Sequence, residues 1–173
     1  ARARELDLRR ARPARSAERI ITVQNNLAIT YGALGRLEDA APMHRDVYSG
    51  RLKLHGEQHP RTLTAANNYA TSLLDLQRYA EAKLLLRKIV PVTRRVLGES
   101  HECTLKMRCL YAVALFPDPA ATLDDLREAV TALEDTVRTA RRVLGISHPL
   151  LRTMEGKLQI ARAVLRRRET SNV

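Results

Sequence analysis

The chain has 173 residues, 45% of them hydrophobic and only 3% aromatic, with a formal net charge of +11. Abundant alanine, leucine and arginine with few glycines and prolines predict an all-helical fold and disfavour a sheet or a disordered chain. No apolar run approaches the ~20 residues of a membrane span. The first fifteen residues lack the apolar core of a signal peptide, and Glu5 and Asp7 disfavour a mitochondrial presequence.

The positive charge has two interpretations. A basic surface can bind nucleic acid or another polyanion, but long helices with arginine on their solvent faces produce the same charge without any ligand. The sequence has no interleaved aromatic residues on which bases could stack, so we favour solvent-facing arginines. Two cysteines, Cys103 and Cys109, are too few for a disulfide framework or a zinc site, and we expect a reducing, cytoplasmic setting.

The sequence repeats itself at a regular interval. Asn25-Asn26-Leu27-Ala28 recurs one period later as Asn67-Asn68-Tyr69-Ala70. His59 recurs after the same interval as His101, and again after a slightly longer one as His148. The period is about 42 residues, within the range of about 20 to 50 that is typical of proteins built from stacked repeats. This pattern divides the chain into a charged flank or remnant helix (1–15), repeat 1 (16–58), repeat 2 (59–100), repeat 3 (101–147), a terminal capping helix (148–168) and a tail (169–173).

Apolar spacing within each repeat predicts a pair of helices, A and B. In chain order, the predicted helices span 16–34, 37–54, 61–76, 79–97, 103–116, 123–144 and 150–168. In the first, Ile20, Val23, Leu27, Tyr31 and Leu34 share one helix face. Gly35 is expected to end that helix. The corresponding turn at 75–78 has no glycine, so we expect this hairpin to depend on packing.

The third repeat carries an insertion at 117–122, which explains why it is longer than the other two. We expect these residues to loop into solvent, as insertions between helices commonly do, with Thr122 as the cap of the next helix.

Paired small residues, Ala28 with Ala40, Ala70 with Ala82 and Ala112 with Ala129, resemble the tetratricopeptide repeat. The long period and the segments GEQHPRTLTAANNYA and RYAEAKLLLRKIVPVTRRVLG resemble the kinesin light chain subclass. The resemblance covers residues 16–173 and implies an α-α superhelical solenoid. It also implies a protein-binding scaffold whose concave face is lined by the A helices. The chain has no heptad segment of the kind that joins kinesin light chains to the motor.

The resemblance implies that the first asparagine of each Asn-Asn pair, Asn25 and Asn67, faces a bound peptide. The matching positions in later units hold Cys109 and Gly156. The alternative is that both asparagines only satisfy nearby helix ends or water. Further groove residues expected from the same phase are Thr22, Ile29, Gly32, Thr64, Thr71, Leu74, Lys106, Val113 and Phe116.

The sequence contains no motif for catalysis, a cofactor or a metal, and we expect none of the three. The three repeated histidines are interpreted as helix-start residues, because successive repeats place equivalent side chains too far apart to share one ion. The last residues, Ser171-Asn172-Val173, fit the short pattern of a PDZ ligand, a pattern that also arises by chance. The sequence thus predicts a non-enzymatic scaffold for a protein or peptide partner, with polyanion binding as the alternative and a regulatory part of a larger enzyme as a further possibility.

Overall fold

The computed structural model describes the backbone of residues 2–171 and the side chains of residues 15–171. This part of the chain consists of helices and turns and contains no strand, which confirms the all-α prediction. The helices are α1 (Arg2–Ala33), α2 (Leu37–His55), α3 (Pro60–Asp75), α4 (Tyr79–Leu97), α5 (Glu102–Val113), α6 (Leu123–Leu144) and α7 (Pro149–Thr170). Among them, none has the length and apolarity needed to cross a membrane.

The chain forms two compact units, residues 1–72 and 73–173. In the first unit, Ile21 of α1, Val47 of α2 and Ala65 of α3 form a buried cluster. Helices α1 and α2 approach closely at Gly50, where an added Cβ would lie 2.7 Å from Ile21 Cδ1. Glycine therefore allows this contact, and buried Ala28 and Ala40 keep the same helix pair compact.

The second unit has a larger core. Apolar residues of α5, α6 and α7 pack together with residues of the α5–α6 turn, and the fully buried members include Leu105, Leu115, Leu126, Leu133, Leu151 and Met154. Helices α5, α6 and α7 therefore each bury an apolar face against their neighbours.

Helix α1 begins earlier than predicted. It runs without interruption from Arg2 to Ala33, so residues 2–15 continue α1 and no helix starts at Ser16. Pro13 lies inside it. A proline removes one backbone donor, and the hydrogen bonds on either side keep a long helix continuous.

The turn between α1 and α2 has the predicted glycine cap. Gly35 has φ +74°, its N–H donates to Gly32 O at 3.0 Å, and Arg36 N–H donates to Tyr31 O at 2.9 Å. These two bonds define a Schellman motif, which satisfies carbonyls at the helix end.

The α3–α4 turn forms the same motif without glycine, although the sequence predicted that this hairpin would rely on packing more than on a favoured cap. Gln77 has φ +57°, its N–H donates to Leu74 O at 2.9 Å, and Arg78 N–H donates to Leu73 O at 2.8 Å. Gln77 therefore occupies a left-handed backbone conformation that is costly for residues with a Cβ.

The third repeat differs from the prediction at its A–B turn. Helix α5 ends at Val113 instead of reaching Phe116, because Pro117 disfavours helical backbone in the residue before it. The inserted residues do not all lie in solvent, since Ala121 joins the core beside Phe116. Thr122 caps α6 as predicted and forms a capping box with Asp125.

The predicted apolar face of α1 is not buried. Ile20, Val23, Leu27 and Leu34 are exposed, whereas Ile21 and Ala28, one position along, face the core of the first unit. Periodicity identified the helix but not the face that packs.

Candidate peptide-binding surface

Asn25 and Asn67 lie at equivalent positions of α1 and α3, and both are partly exposed. Asn68 Nδ2 donates to Asn25 Oδ1 at 3.3 Å, which links the two helices. The sequence reasoning missed this role of the second asparagine, although the repeated Asn-Asn dipeptide was a signal for it. The hydrogen bond fixes Asn25 Oδ1 and leaves its amide hydrogens available.

Asn67 is incompletely satisfied. Its Oδ1 is buried and has no hydrogen-bond partner among the described residues. A buried acceptor without a partner costs about 1–3 kcal/mol, and such atoms are uncommon in folded proteins. The fold thus positions the Asn67 side chain without providing a hydrogen-bond donor to its Oδ1 among the described residues.

Three candidate threonines on α1 and α3 use their hydroxyl hydrogens internally. Thr22 donates to Glu18 O at 2.8 Å, Thr64 to Pro60 O at 3.0 Å and Thr71 to Asn67 O at 3.0 Å. Each hydroxyl therefore offers a ligand only acceptor lone pairs, beside a methyl group.

Two other candidates on α1 shape its surface. Ile29 is 49% exposed and adds an apolar side chain. Gly32 has no neighbouring atom within 4 Å of the position of an added Cβ, so it leaves open space on the helix. The candidate residues of the first unit therefore form an uncharged, partly apolar surface.

The asparagines are supported by a hydrogen-bonded chain from α2. The Ser72 hydroxyl donates its single hydrogen to Asn68 O at 3.2 Å, so His44 Nδ1–H is the donor in its 2.6 Å bond to Ser72 Oγ. His44 is buried, and its Nε2 has no partner among the described residues. Burial lowers the pKa of His44. His44 is therefore neutral, and its hydrogen bond to Ser72 helps to hold α3 in position next to Asn68.

A second network fixes one end of the first unit. Glu18 Oε1 accepts from Arg61 Nη1 at 2.5 Å, and Glu18 Oε2 lies 2.8 Å from His55 Nε2. The rings of His55 and His59 stack with centroids 4.4 Å apart. Burial acts to raise the pKa of Glu18, but the hydrogen bonds from His55 and Arg61 outweigh it and lower that pKa. These contacts join α1, α2 and α3.

The candidate residues in the second unit are less suited to binding. Lys106 pairs with Glu102 at 2.6 Å, and this contact lowers the pKa of Glu102. Leu74 and Val113 are partly buried. Phe116 is buried in the core, so the expectation that it lines an open groove is not supported by its position.

The repeated histidines start helices, as predicted. His101 Nδ1 accepts from Cys103 N–H at 3.1 Å and His148 Nδ1 from Leu150 N–H at 3.2 Å, each as the N-cap residue. His59 Nδ1 likewise accepts from Arg61 N–H at 3.2 Å. Within residues 15–171, no group of three or more His, Cys, Asp or Glu side chains is arranged to hold a metal ion.

Burial makes both cysteines poor nucleophiles, and it raises the pKa of the Cys103 thiol. Burial raises the pKa of the Cys109 thiol to about 11, which keeps it protonated. The C-terminal pattern extends to Asn172 and Val173, which lie outside the described residues, so PDZ binding stays a prediction.

Four arginines line a cleft between α6 and α7. This cleft of about 650 Å³ is lined by Glu134, Val137, Arg138, Arg141, Arg142, Leu158 and Arg162. Arg162 pairs with Glu134 at 2.6 Å and Arg141 with Glu155 at 2.5 Å. Part of the arginine charge is therefore already neutralised within the fold.

Comparison with known proteins agrees with this architecture. Two models described as tetratricopeptide repeat match residues 19–95 and 121–150. No curated protein matches the sequence. Repeats of this family bind protein partners and typically serve as non-enzymatic scaffolds.

Solved structures share the fold. BtubC (BKLC) from P. vanneervenii is 17% identical with a TM-score of 0.63, covering 99% of this chain and 77% of that one. The nearly identical TPR-like repeats assigned to a kinesin light chain of Podosopora anserina are 19% identical with a TM-score of 0.51, covering 92% and 91% of the two chains, and a point variant of those repeats gives the same values. The chain therefore belongs to the tetratricopeptide repeat family, with the fold of kinesin light chain-like repeats.

Proposed function

We propose that this chain is a non-enzymatic scaffold that binds a segment of a partner protein on the concave face of its repeats, through the A-helix surface of α1 and α3. The observation that carries the proposal is the pair Asn25 and Asn67. Both occupy the same repeat position, both are partly exposed, and Asn25 keeps its amide hydrogens available beside its bond to Asn68. An amide has two donors and an acceptor, so it matches the main chain of an extended peptide.

The surface also indicates the chemistry of the partner segment. Since Thr22, Thr64 and Thr71 use their own hydrogens inside the helices, the ligand supplies donors to these oxygens. Ile29 and the open space at Gly32 favour an apolar side chain. An extended, partly apolar segment with free backbone N–H groups fits these requirements.

Affinity would come mainly from preorganisation. The chain of hydrogen bonds from His44 through Ser72 and Asn68 to Asn25 holds the surface before any ligand arrives. A rigid site loses little conformational entropy on binding, so a few polar contacts suffice.

The test is affinity capture from a cell lysate with the wild-type chain and with Asn67→Ala, followed by mass spectrometry and by titration of the captured protein. Asn26→Ala is the matched control, because Asn26 is an exposed asparagine of α1 one residue from Asn25. We expect Asn67→Ala to weaken binding by about 1 kcal/mol or more, with no fall in melting temperature. Equal affinity for both variants would remove Asn67 from the site.

Polyanion binding through the arginine cleft of α6 and α7 is the second candidate. It is favoured by the four arginines that line the cleft and disfavoured by the pairing of Arg162 with Glu134 and of Arg141 with Glu155. Capture is therefore run with and without nuclease treatment, each at low and high salt of about 50 and 200 mM. Retention of nucleic acid alone, with affinity falling about tenfold or more across this range, would replace the scaffold proposal.

A further inference from the structure

Helix α1 presents an apolar surface that no described residue covers. Ile20, Val23 and Leu27 are 57%, 66% and 41% exposed. We name these three residues the open face of α1. They recur at spacings of three and four, so they lie along one side of the helix.

The equivalent positions in later repeats are covered by the preceding B helix. They are Thr62, Ala65 and Tyr69 in α3, Thr104, Met107 and Tyr111 in α5, and Leu151, Met154 and Leu158 in α7, and all nine are buried or partly buried.

Within the first unit, Ala65 packs against Val47 of α2. Within the second unit, Thr93 Oγ1 of α4 lies 3.1 Å from Met107 Sδ, and the three α7 residues share a core with Leu133 and Val137 of α6. In α3, α5 and α7, the positions equivalent to the open face of α1 are therefore covered by a helix.

The last A helix, α7, shows which residue types this fold has on a helix side that is exposed to water. In α3 and α5, one set of equivalent positions holds buried Leu63, Ala70, Leu105 and Ala112. In α7 the same positions hold Arg152 and Gln159, both exposed. Polar residues thus suit α7 to solvent, whereas the open face of α1 keeps the apolar character of a helix interface. The open face of α1 would therefore not match the polar side of α7 on a second copy of this chain.

The positive charge of α1 indicates which kind of partner helix would bind its open face. Residues 2–15 contain six arginines and only two acidic residues, and α1 continues through them to the open face. Arg15 and Arg19, next to Ile20, are exposed. A partner helix with acidic residues beside its apolar stripe complements this charge, and a second copy of the basic α1 does not.

We propose that the open face of α1 binds an acidic amphipathic helix of a partner protein, packed as α2 packs on α3. This interface is independent of the asparagine surface, and either one can exist without the other.

The probe is a synthetic peptide of residues 123–144, the α6 sequence, with Arg138 and Arg142 replaced by glutamate. Its apolar stripe already packs on Leu151, Met154 and Leu158, the counterparts of the open face. Binding of the labelled peptide to the full chain is measured by fluorescence anisotropy. We expect Val23→Asp to lower the affinity at least tenfold, because it places a charge on the apolar contact and repels an acidic ligand.

Leu84→Asp is the control, since Leu84 of α4 is 69% exposed and lies outside the open face. It should leave the affinity within about twofold of wild type. Circular dichroism melting checks that both variants fold. Equal binding to wild type and Val23→Asp would overturn the proposal, as would equal binding of the acidic peptide and the unaltered α6 sequence at low salt. Sedimentation that shows a wild-type dimer, lost in Val23→Asp, would assign the face to a second copy instead.

Discussion

The turn between α3 and α4 offers a direct test of how backbone conformation affects the stability of this array. Gln77 adopts φ +57° in a motif that Gly35 forms in the preceding hairpin with φ +74°. Both turns make the same two backbone hydrogen bonds. We predict that Gln77→Gly stabilises the protein.

The magnitude follows from two opposing terms. A left-handed conformation costs a residue with a Cβ about 1–2 kcal/mol, and glycine removes that cost. Glycine also gives the unfolded chain more freedom, which returns about 0.4–1 kcal/mol. Gln77 is exposed, so little packing is lost. The net gain is about 0.5–1 kcal/mol, and a gain of about 1 kcal/mol corresponds to about 2–4 °C in melting temperature for a chain of this size.

The assay is urea and thermal unfolding of Gln77→Gly beside the reciprocal variant Gly35→Gln. An added Cβ at Gly35 has no neighbouring atom within 4 Å, so the reciprocal variant reports conformational cost without a clash. It should lose about as much stability as Gln77→Gly gains. A loss of stability in Gln77→Gly, or no effect in Gly35→Gln, would refute the reasoning.

Two further predictions concern individual side chains. Thr122→Ala should cost about 1 kcal/mol in urea unfolding because it removes the α6 capping box, whereas Thr131→Ala on the surface of α6 should cost less. Burial lowers the pKa of His44, so the unfolded chain binds a proton more readily. Stability should therefore fall as pH drops below about 6.5, and His44→Gln should flatten this dependence between about pH 7.5 and 5.5, as urea midpoints would show. An unchanged slope in that variant would assign the pH effect to other groups.

Much of the fold was predictable from the sequence because the repeat period carries it. Helices α4 and α6 have the predicted bounds, and the histidines and Thr122 start helices as expected. These features depend on local spacing and on capping chemistry, both of which short stretches of sequence contain.

The predictions that failed concern features that the local sequence does not determine. The packing side of α1 and the burial of Phe116 depend on residues distant in sequence, so local periodicity does not determine them. The Asn25–Asn68 bond joins two repeats and likewise needs three-dimensional placement. Gln77 shows that tertiary structure can impose a backbone conformation that its residue type disfavours.

The turn between α5 and α6 limits how far the repeats of this protein can be exchanged. Ala121, an inserted residue, occupies the core with Leu115 and Phe116, and Thr122 closes the start of α6. Shortening the third repeat to the length of the second would remove Ala121 from that core and Thr122 from the start of α6. Engineers who extend such arrays by copying one unit should therefore take the second repeat as the template and keep the third as it is.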